Sequence, residues 1–358
     1  MTSINPDIFK AYDIRGLVPD QFSPEVARQV GRAFVDYLGA RRIAVGRDCR
    51  TSSPEIAAAF VAGARSQGCD VVDVGVVGTD ILYFAVGRHE LEGGAIVTAS
   101  HNPREWNGIK LVRRGALPLS GDAGIGEIRD GLMEGRYEET LPPAGSLETE
   151  SLVGDYATHC LSFVDPGLIA PLSVVLDAAN GMGAVGAAAI FDRLSVETVR
   201  MYFELDGTFP NHPADPLLEE NRRDVVERVR AEGADLGIAW DGDADRCFFV
   251  DDTGTYVPGD FITALLGEAY ARDVRTRVVD EEAAVGVAVP GDPEVRPFRT
   301  HPLHDVSPVL LDEGVGGVVG KGAIELEVHT DGGHRKAIED RGRPDRAHPV
   351  GGVENDLE

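Results

Sequence analysis

The chain has 358 residues, of which 43% are hydrophobic and 26% are charged, an ordinary composition for a globular protein of two or three domains. Its net charge of -26 argues against nucleic acid or an anionic membrane as the main partner. No stretch approaches the run of about 20 apolar residues that a membrane helix needs, and the N-terminus does not resemble a secretory signal.

The cysteines of the chain are widely spread and form no C-x-x-C pair; they are Cys49, Cys69, Cys160 and Cys247. This spacing is typical of reduced thiols in a cytosolic protein, and it does not indicate a disulfide framework or a zinc site. We therefore expect a cytoplasmic protein, and nothing in the sequence implies a protein partner.

Strand and helix patterns alternate along the first half of the chain. Ser53 and Pro54 supply an N-cap and a first-turn signal for one helix, and Gly68 supplies its stop. In chain order the pattern predicts a strand over 42–46, a helix over 53–67, a strand over 70–76, a helix over 79–88 and a strand over 94–98. The Pro- and Gly-containing stretch 139–146 is predicted to be a linker.

The same alternation restarts after this linker. It predicts a helix over 152–163, a strand over 172–177, a helix over 183–194, a strand over 197–203, a helix over 217–232, a strand over 235–240, a hairpin over 247–257 and a helix over 260–271. This order predicts an α/β fold with two consecutive units, residues 1–138 and 149–250.

The composition changes after about residue 275. Residues 276–358 contain short apolar pieces but no sustained period of two or about 3.6 residues, and they contain almost no large apolar side chain beyond residue 330. We expect the end of this atypical tail to be disordered.

Three carboxylates, Asp241, Asp243 and Asp245, stand at alternate positions directly after an apolar strand. In an extended segment they would project to one side and repel one another unless a cation neutralised them. Carboxylate oxygens suit Mg²⁺, and strand ends are where open α/β sheets place their sites. The alternative is a solvated acidic turn, because D-G-D is common in loops.

Ser100 lies in a predicted tight turn after another apolar strand. Small residues precede it, Pro103 fixes the turn, and a second short strand brings Lys110 nearby. A proton relay between Ser100 and the adjacent His101 would need a sharp turn, and a lone loop serine is otherwise structural. Together, a serine that can carry phosphate and a carboxylate cluster that can hold a divalent cation are the two halves of a phosphoryl-transfer site.

A G-x-G-x-x-G pattern, formed by Gly181, Gly183 and Gly186, lies between a predicted strand and a predicted helix, with Glu197 downstream. A dinucleotide fingerprint requires this context. Tight packing between strand and helix explains the glycines equally well. A dinucleotide-dependent oxidoreductase therefore stays open as an alternative.

Four segments, in this order, resemble the α-D-phosphohexomutase family of bacterial phosphomannomutase and phosphoglucomutase enzymes. They are residues 10–16, 98–110, 206–221 and 241–246, which are similar to the family's N-terminal signature, phosphoserine loop, second-domain segment and metal loop. The resemblance covers roughly residues 5–275. It implies consecutive α/β domains with mixed sheets and a third, sugar-binding domain that begins over 251–275.

The resemblance also implies a reaction. Ser100 would be carried as phosphoserine, and one phosphoserine oxygen would join Asp241, Asp243 and Asp245 in binding Mg²⁺. Hexose 6-phosphate and hexose 1-phosphate, of mannose or glucose, would be interconverted through a bound bisphosphate.

Further residues acquire roles by the same resemblance. Arg246 would neutralise charge beside the metal, and Lys110 and His101 are the candidates for moving the proton of the attacking sugar hydroxyl. Tyr12 and Arg15 would line the cleft near the phosphoserine, with Lys110 also contributing to substrate binding.

The sequence departs from the family after residue 275, where we find neither a G-E-x-S-G-H-type sugar loop nor an R-x-S-G-T-E-P-type phosphate loop. The hypothesis is a truncation or a frameshift, and we expect impaired turnover because remote binding energy is missing. Two alternatives stay open: a non-catalytic remnant that binds metal or phosphosugar, and a Mg²⁺-dependent phosphatase with Asp241 as nucleophile.

Overall fold

Two sheets, each covered by helices, follow one another along the chain, as the alternation of patterns predicts. The structure is a computed structural model that describes residues 4–121, 124–137 and 143–284, with the backbone alone for 272–284. Residues 139–142 of the predicted linker and residues 285–358 of the atypical tail lie outside the described residues. No helix in the described part of the chain combines the length and apolar character needed to cross a bilayer.

The first unit is built on a mixed sheet of seven described strands. The strands are β1 (Ile14–Leu17), β2 (Arg42–Arg47), β3 (Asp70–Val76), β4 (Gly93–Val97), β5 (Trp106–Arg113), β6 (Leu117–Pro118) and β7 (Leu147–Thr149). Across the sheet the order is β1-β5-β4-β2-β3-β7, with β6 paired to β5. The pairs of β2 with β3 and β4, and of β3 with β7, are parallel. By contrast, β1, β4 and β6 run antiparallel to β5.

Helices cover both faces of this first sheet. They are α1 (Pro24–Leu38), α2 (Ser53–Ser66), α3 (Thr79–Arg88) and α4 (Ile125–Met133), of which α1 and α4 were not predicted. Helices α1 and α2 approach closely because each places a glycine against the backbone of the other: a Cβ on Gly31 would lie 2.3 Å from the carbonyl oxygen of Phe60, and a Cβ on Gly63 would lie 2.0 Å from that of Arg28. The rings of Phe34 and Phe60 pack beside this contact with centroids 6.1 Å apart.

The second unit has a five-stranded mixed sheet. Its strands are β8 (Ser173–Asp177), β9 (Glu197–Met201), β10 (Leu236–Trp240), β11 (Cys247–Asp251) and β12 (Tyr256–Val257), in the order β12-β11-β10-β8-β9. The strand β8 is parallel to β9 and β10, whereas β11 is antiparallel to β10 and β12. The helices are α5 (Val153–Leu161), α6 (Gly183–Phe191), α7 (Arg223–Glu232) and α8 (Gly259–Ala284).

Alternating residues of the central strands face the two sides of this second sheet, as strand geometry requires. Val175 packs with Val225 and Val229 of α7, whereas Val174 and its neighbours pack on the opposite face near Phe191 of α6. The second core therefore lies on both sides of β8 and β10, and it fixes the end of β10 from which the aspartate loop departs.

Two local predictions were wrong. The helix predicted over 217–232 begins only at Arg223, after a 3-10 turn over Glu219–Arg222, because the Asn221 and Arg222 side chains bind the carbonyls of residues 215–217. The N-cap of α2 is Ser52 and not Ser53, whose hydroxyl instead donates to Asp48.

Candidate active site

The loops that leave β4 and β10 meet, and they bring the two predicted halves of the site into contact. The Ser100 Oγ donates a hydrogen bond of 2.7 Å to Asp241 Oδ2, although the two residues are 141 positions apart in the chain. Ser100 is only 2% exposed and Asp241 is fully buried. The serine and the aspartate cluster therefore form one site at the junction of the two units.

The Ser100 turn has a backbone conformation that is rare for a serine. Its φ is 51°, in the left-handed region, which costs on the order of 1–3 kcal/mol and persists only where surrounding contacts hold it. The Ser100 N–H donates to Thr98 Oγ1 at 2.9 Å, and the Asn102 N–H donates to the carbonyl of Ala99 at 3.0 Å. This is the sharp turn that contact between Ser100 and His101 requires.

The aspartate carboxylates converge, but not by the route that the sequence suggested. Residues 241–246 form a turn and not an extended segment. Ala244 has a φ of 63°, and its N–H donates to the carbonyl of Asp241 at 3.1 Å. One oxygen from each of Asp241, Asp243 and Asp245 lies within 4.8 Å of the others. The expected cluster is therefore present, because the chain turns and not because the side chains alternate.

The donor set of this cluster fits a hard divalent cation. Asp243 Oδ2 accepts a hydrogen bond of 2.8 Å from the Thr79 hydroxyl, whereas its Oδ1 is buried and has no hydrogen-bond partner among the described residues. Burial, and then the negative charges of Asp243 and Asp245, raise the pKa of the Asp241 carboxyl. A buried carboxylate oxygen without a donor, beside two other carboxylates, is the arrangement that Mg²⁺ would satisfy.

Two cationic side chains border the carboxylates. Lys110 Nζ lies 2.8 Å from Asp243 Oδ2 and also pairs with Asp245. Burial alone would lower the pKa of Lys110, but the charges of Asp243 and Asp245 raise it well above its usual value. Arg246 Nη2 donates to Asp241 Oδ2 at 2.7 Å and to Ser100 Oγ at 2.8 Å. The guanidinium therefore bridges the serine and the aspartate loop.

His101 presents Nδ1 to this same group of atoms. Nδ1 lies 3.3 Å from Ser100 Oγ and accepts a hydrogen bond from the Arg246 guanidinium, which can only donate. Burial and then the charge of Arg246 lower the pKa of the His101 ring to about 4. The imidazole is therefore neutral, and its Nδ1 lone pair is engaged by Arg246 beside the serine.

The two residues from the N-terminal signature differ in their relation to the serine. Arg15 Nη1 donates to the Asn102 side-chain oxygen at 2.5 Å, and the guanidinium also pairs with Asp13. Tyr12 is 44% exposed and lies in the same segment. The structure thus attaches Arg15 to the serine loop and leaves the Tyr12 ring accessible to solvent.

Two contributors to the site were not predicted. Arg50 is buried and donates to the carbonyl oxygens of Ser100 and Asn102 at 2.8 and 2.7 Å. Thr79, at the start of α3, anchors the aspartate loop through its N–H, which donates to the Asp243 carbonyl at 2.9 Å. A lone arginine or threonine next to a helix start carries no distinctive sequence signal, so only their contacts reveal these roles.

Close packing accounts for two of the three glycines of the G-x-G-x-x-G pattern. A Cβ on Gly181 would lie 2.9 Å from the carbonyl oxygen of Gly242, and a Cβ on Gly183 would lie 2.9 Å from the Trp240 side chain. These contacts support the packing explanation. The glycines allow the start of α6 to lie against the aspartate loop.

Comparisons with known proteins identify the family of this chain. The family description "Phosphoglucomutase/phosphomannomutase, alpha/beta/alpha domain I" matches residues 6–136, and the corresponding description of domain II matches residues 155–254. Among solved structures, a phosphoglucomutase/phosphomannomutase family protein from Burkholderia thailandensis is similar with a TM-score of 0.70 and 36% identity. The similarity covers 76% of this chain and 60% of that chain.

Two curated relatives show the same pattern of coverage. A protein named "Phosphohexose mutases" from Xanthomonas campestris pv. campestris (strain B100) is 42% identical over 261 residues, which is 73% of this chain and 58% of the relative. A phosphomannomutase from Salmonella montevideo is 40% identical over 272 residues, which is 74% of this chain and 60% of the relative. The chain therefore spans about three fifths of the length of the relatives that it matches.

Proposed function

Because the chain belongs to the phosphoglucomutase/phosphomannomutase family, we propose that it transfers a phosphoryl group between Ser100 and a hexose phosphate. The hexose would be mannose or glucose, and the reaction would interconvert its 6-phosphate and 1-phosphate through a bound bisphosphate. One observation carries the proposal: a buried Ser100 hydroxyl lies between a carboxylate, Asp241, and a guanidinium, Arg246.

The contacts of Ser100 support both directions of transfer. When phosphoserine reacts, the bond from phosphorus to Ser100 Oγ breaks and its electron pair stays on Oγ, while a new bond joins phosphorus to the sugar oxygen. Arg246 Nη2, at 2.8 Å, would stabilise the charge that develops on Oγ. In the reverse direction Asp241 Oδ2, at 2.7 Å, orients the serine hydroxyl, and the proton that the hydroxyl gives up would pass to His101 Nδ1, 3.3 Å from Oγ, and from there to the sugar oxygen that leaves phosphorus.

The proton of the attacking sugar hydroxyl needs a separate acceptor. His101 is suited to this role because its ring is neutral and Nδ1 lies 3.3 Å from Ser100 Oγ; the Nδ1 lone pair, which accepts from Arg246 in this structure, would exchange that donor for the sugar hydroxyl. Lys110, the other candidate, is held as a cation by Asp243 and Asp245, so in this arrangement it supplies positive charge. Asp241, Asp243 and Asp245 would hold Mg²⁺, which when bound neutralises charge on the phosphoryl oxygens.

Substrate binding would rely on local cations, since the chain as a whole is strongly acidic. Arg15 and Lys110 are the proposed contacts with the phosphorylated sugar, and the exposed Tyr12 would line the entrance.

The test is direct detection of the phosphoserine. The 358-residue chain is incubated with Mg²⁺ and glucose 1,6-bisphosphate and analysed by intact mass and peptide mapping. We expect one phosphoryl group on Ser100, none in Ser100→Ala, and its discharge when glucose 1-phosphate or mannose 1-phosphate is added. Phosphate on Asp241 would instead identify a phosphatase, and sugar phosphate binding without any transfer would identify a non-catalytic protein.

A further inference from the structure

Arg50, in the loop between β2 and α2, is the most extensively bonded buried cation next to the described serine turn. It is only 1% exposed. Its guanidinium donates to the carbonyl oxygens of Ser100 at 2.8 Å, Asn102 at 2.7 Å, Pro103 at 2.8 Å and Trp106 at 3.2 Å. Each of these acceptors belongs to the segment that turns from β4 into β5, so a single side chain binds the whole turn from its inner side.

The guanidinium is itself fixed from a second direction. Arg50 Nε donates to Asp48 Oδ2 at 3.1 Å, and the Arg50 backbone N–H donates to Asp48 Oδ1 at 3.0 Å. Asp48 is 1% exposed, so the pair is shielded from water. A planar group with five donors can bind one carboxylate and several carbonyls at once, whereas a lysine ammonium offers three donors at a single point.

The same residue contacts the second unit. The Arg50 guanidinium carbon lies 5.1 Å from the centroid of the Phe209 ring. A Cβ on Gly207 would lie 2.4 Å from Arg50 Cα and 2.4 Å from the carbonyl oxygen of Cys49. The loop that carries Arg50 is therefore packed between the serine turn and residues 207–209 of the unit that carries the aspartate loop.

We propose that Arg50 is a positioning residue for phosphoryl transfer at Ser100. It does not reach the Ser100 hydroxyl, which faces Asp241 and Arg246. It acts by holding the left-handed backbone of the turn, so that Oγ stays aligned with the aspartate loop. The role of Arg50 in phosphoryl transfer rests on the proposed function of Ser100. Its hydrogen bonds to the serine turn do not depend on that function.

Arg222 offers a matched control within the chain. It is also buried, it donates to the carbonyl oxygens of Pro216 and Leu217, and its guanidinium lies 4.1 Å from the centroid of the Tyr256 ring. It therefore resembles Arg50 as a buried arginine that binds backbone carbonyls beside an aromatic ring, but it braces a turn of the second unit and not the serine turn. Arg222→Lys reports the effect of shortening such an arginine elsewhere in the protein, and only Arg50→Lys should change the reaction at Ser100.

The first readout is the rate at which glucose 1,6-bisphosphate phosphorylates Ser100, measured as a function of bisphosphate concentration well below each melting temperature. Misplacement of a reacting group by an ångström costs about 100-fold, so we expect the saturating rate of Arg50→Lys to fall by about that factor. The half-saturating concentration should change little, and Arg222→Lys should react as the parent chain does. A parental rate in Arg50→Lys, or an equal loss in Arg222→Lys, overturns the proposal.

The second readout does not depend on any activity. The amides of Asn102 and Trp106 are bonded within the serine turn, to the carbonyls of Ala99 and Pro103. Their hydrogen exchange should accelerate about tenfold in Arg50→Lys, the equivalent of one lost hydrogen bond, and stay unchanged in Arg222→Lys. If the parent chain is never phosphorylated, the proposed function fails. The hydrogen exchange then tests by itself whether Arg50 holds the turn, and unchanged exchange in Arg50→Lys overturns the positioning role.

If Arg50→Lys does not fold, Phe209→Leu provides the alternative. It removes the ring from the guanidinium and leaves the hydrogen bonds of Arg50 in place. We expect a slowing of about three- to fivefold, the size of a cation–π contribution, and faster exchange of the Asn102 amide. A variant with parental rate and parental exchange would contradict the proposal.

Discussion

Gly242 and Ser100 are in direct backbone contact: a Cβ placed on Gly242 would lie 2.3 Å from the carbonyl oxygen of Ser100. Real Cβ atoms do not approach an oxygen so closely, so only glycine fits between the two aspartates Asp241 and Asp243. The contact sets how near the aspartate loop can come to the serine. The glycine is therefore part of the site although it carries no functional group.

Gly242→Ala should separate the two loops. We expect a loss of about 1–3 kcal/mol in the free energy of unfolding, typical of overpacking, because the facing atom is backbone and cannot rotate away. Phosphorylation of Ser100 should slow by about 100-fold as the hydroxyl moves from Asp241. Urea unfolding and the mass-spectrometric phosphorylation assay measure the two effects.

Gly87→Ala is the control for this substitution. Apart from its chain neighbours and the backbone of its own helix turn, no atom of the described residues lies within 4 Å of the position where its Cβ would stand, and Gly87 lies in the last turn of α3. Alanine there should leave stability unchanged or raise it by up to about 0.5–1 kcal/mol, the value for a helix interior. An equal loss of stability in both variants would show that the contact with Ser100 is unimportant.

Asp243→Asn should weaken binding of Mg²⁺. The substitution removes the charge of the buried carboxylate whose Oδ1 has no hydrogen-bond partner among the described residues. We expect affinity to fall by at least about 10–100-fold, the range for loss of an outer-shell partner, because Asp243 is itself a proposed ligand. Isothermal titration calorimetry measures it, with the exposed Asp252→Asn as the control that should bind as the parent does.

Lys110→Met should make the protein more dependent on Mg²⁺. Lys110 Nζ lies 2.8 Å from Asp243 Oδ2, so its removal leaves buried carboxylates uncompensated, a loss of about 3–5 kcal/mol for broken buried pairs. A bound cation would compensate those charges, so added Mg²⁺ should raise the melting temperature more in the variant than in the parent. Equal increments in the two proteins would show that the lysine and the metal do not share these oxygens.

The pair of His212 and Asp177 should make stability depend on pH. His212 Nε2 lies 3.1 Å from Asp177 Oδ2 and Nδ1 lies 2.9 Å from the Pro213 carbonyl, so both nitrogens donate and the ring is protonated. Burial alone would lower the pKa of His212, but the hydrogen bond and charge of Asp177 raise it above 6.5. The stabilisation is then fully present below about pH 6.5 and is lost as the pH rises through the folded-state pKa.

His212→Gln isolates this effect. The difference in free energy of unfolding between the parent and His212→Gln, measured by urea unfolding, should be largest below about pH 6.5 and should shrink as the pH rises through the folded-state pKa. In the background of Asp177→Asn the same substitution should show little of this pH dependence, because the charged partner is gone. A difference that grows with pH would contradict the assignment of a protonated ring.

Helices and strands with a clear period of hydrophobic residues were predictable from the sequence. The strand Asp70–Val76 and the helix Thr79–Arg88 have the predicted bounds. The helix predicted over 217–232 was wrong in its first part, since side chains of Asn221 and Arg222 capture carbonyls that a helix would use. A hydrophobic period cannot report such competition between side chain and backbone for the same acceptors.

The candidate site divides in a similar way. Ser100 and the three aspartates were predicted as site residues from residue type and order, because a nucleophile and a metal site need particular functional groups. The sequence suggested an extended aspartate segment, whereas the carboxylates converge through a turn at Ala244. The role of Arg50 was also invisible, since its acceptors are backbone carbonyls that any sequence provides.

By itself the sequence determined the chemical groups available to this protein: a serine, a carboxylate trio and the cations around them. Only the tertiary structure decided which atoms meet, that Ser100 Oγ faces Asp241 Oδ2 and that Arg50 holds the turn behind it. The physical reason is that these contacts join segments from two separate sheets. The distances between these atoms depend on how helices and glycines pack between the sheets. Such distances cannot be read from the order of residues within one segment.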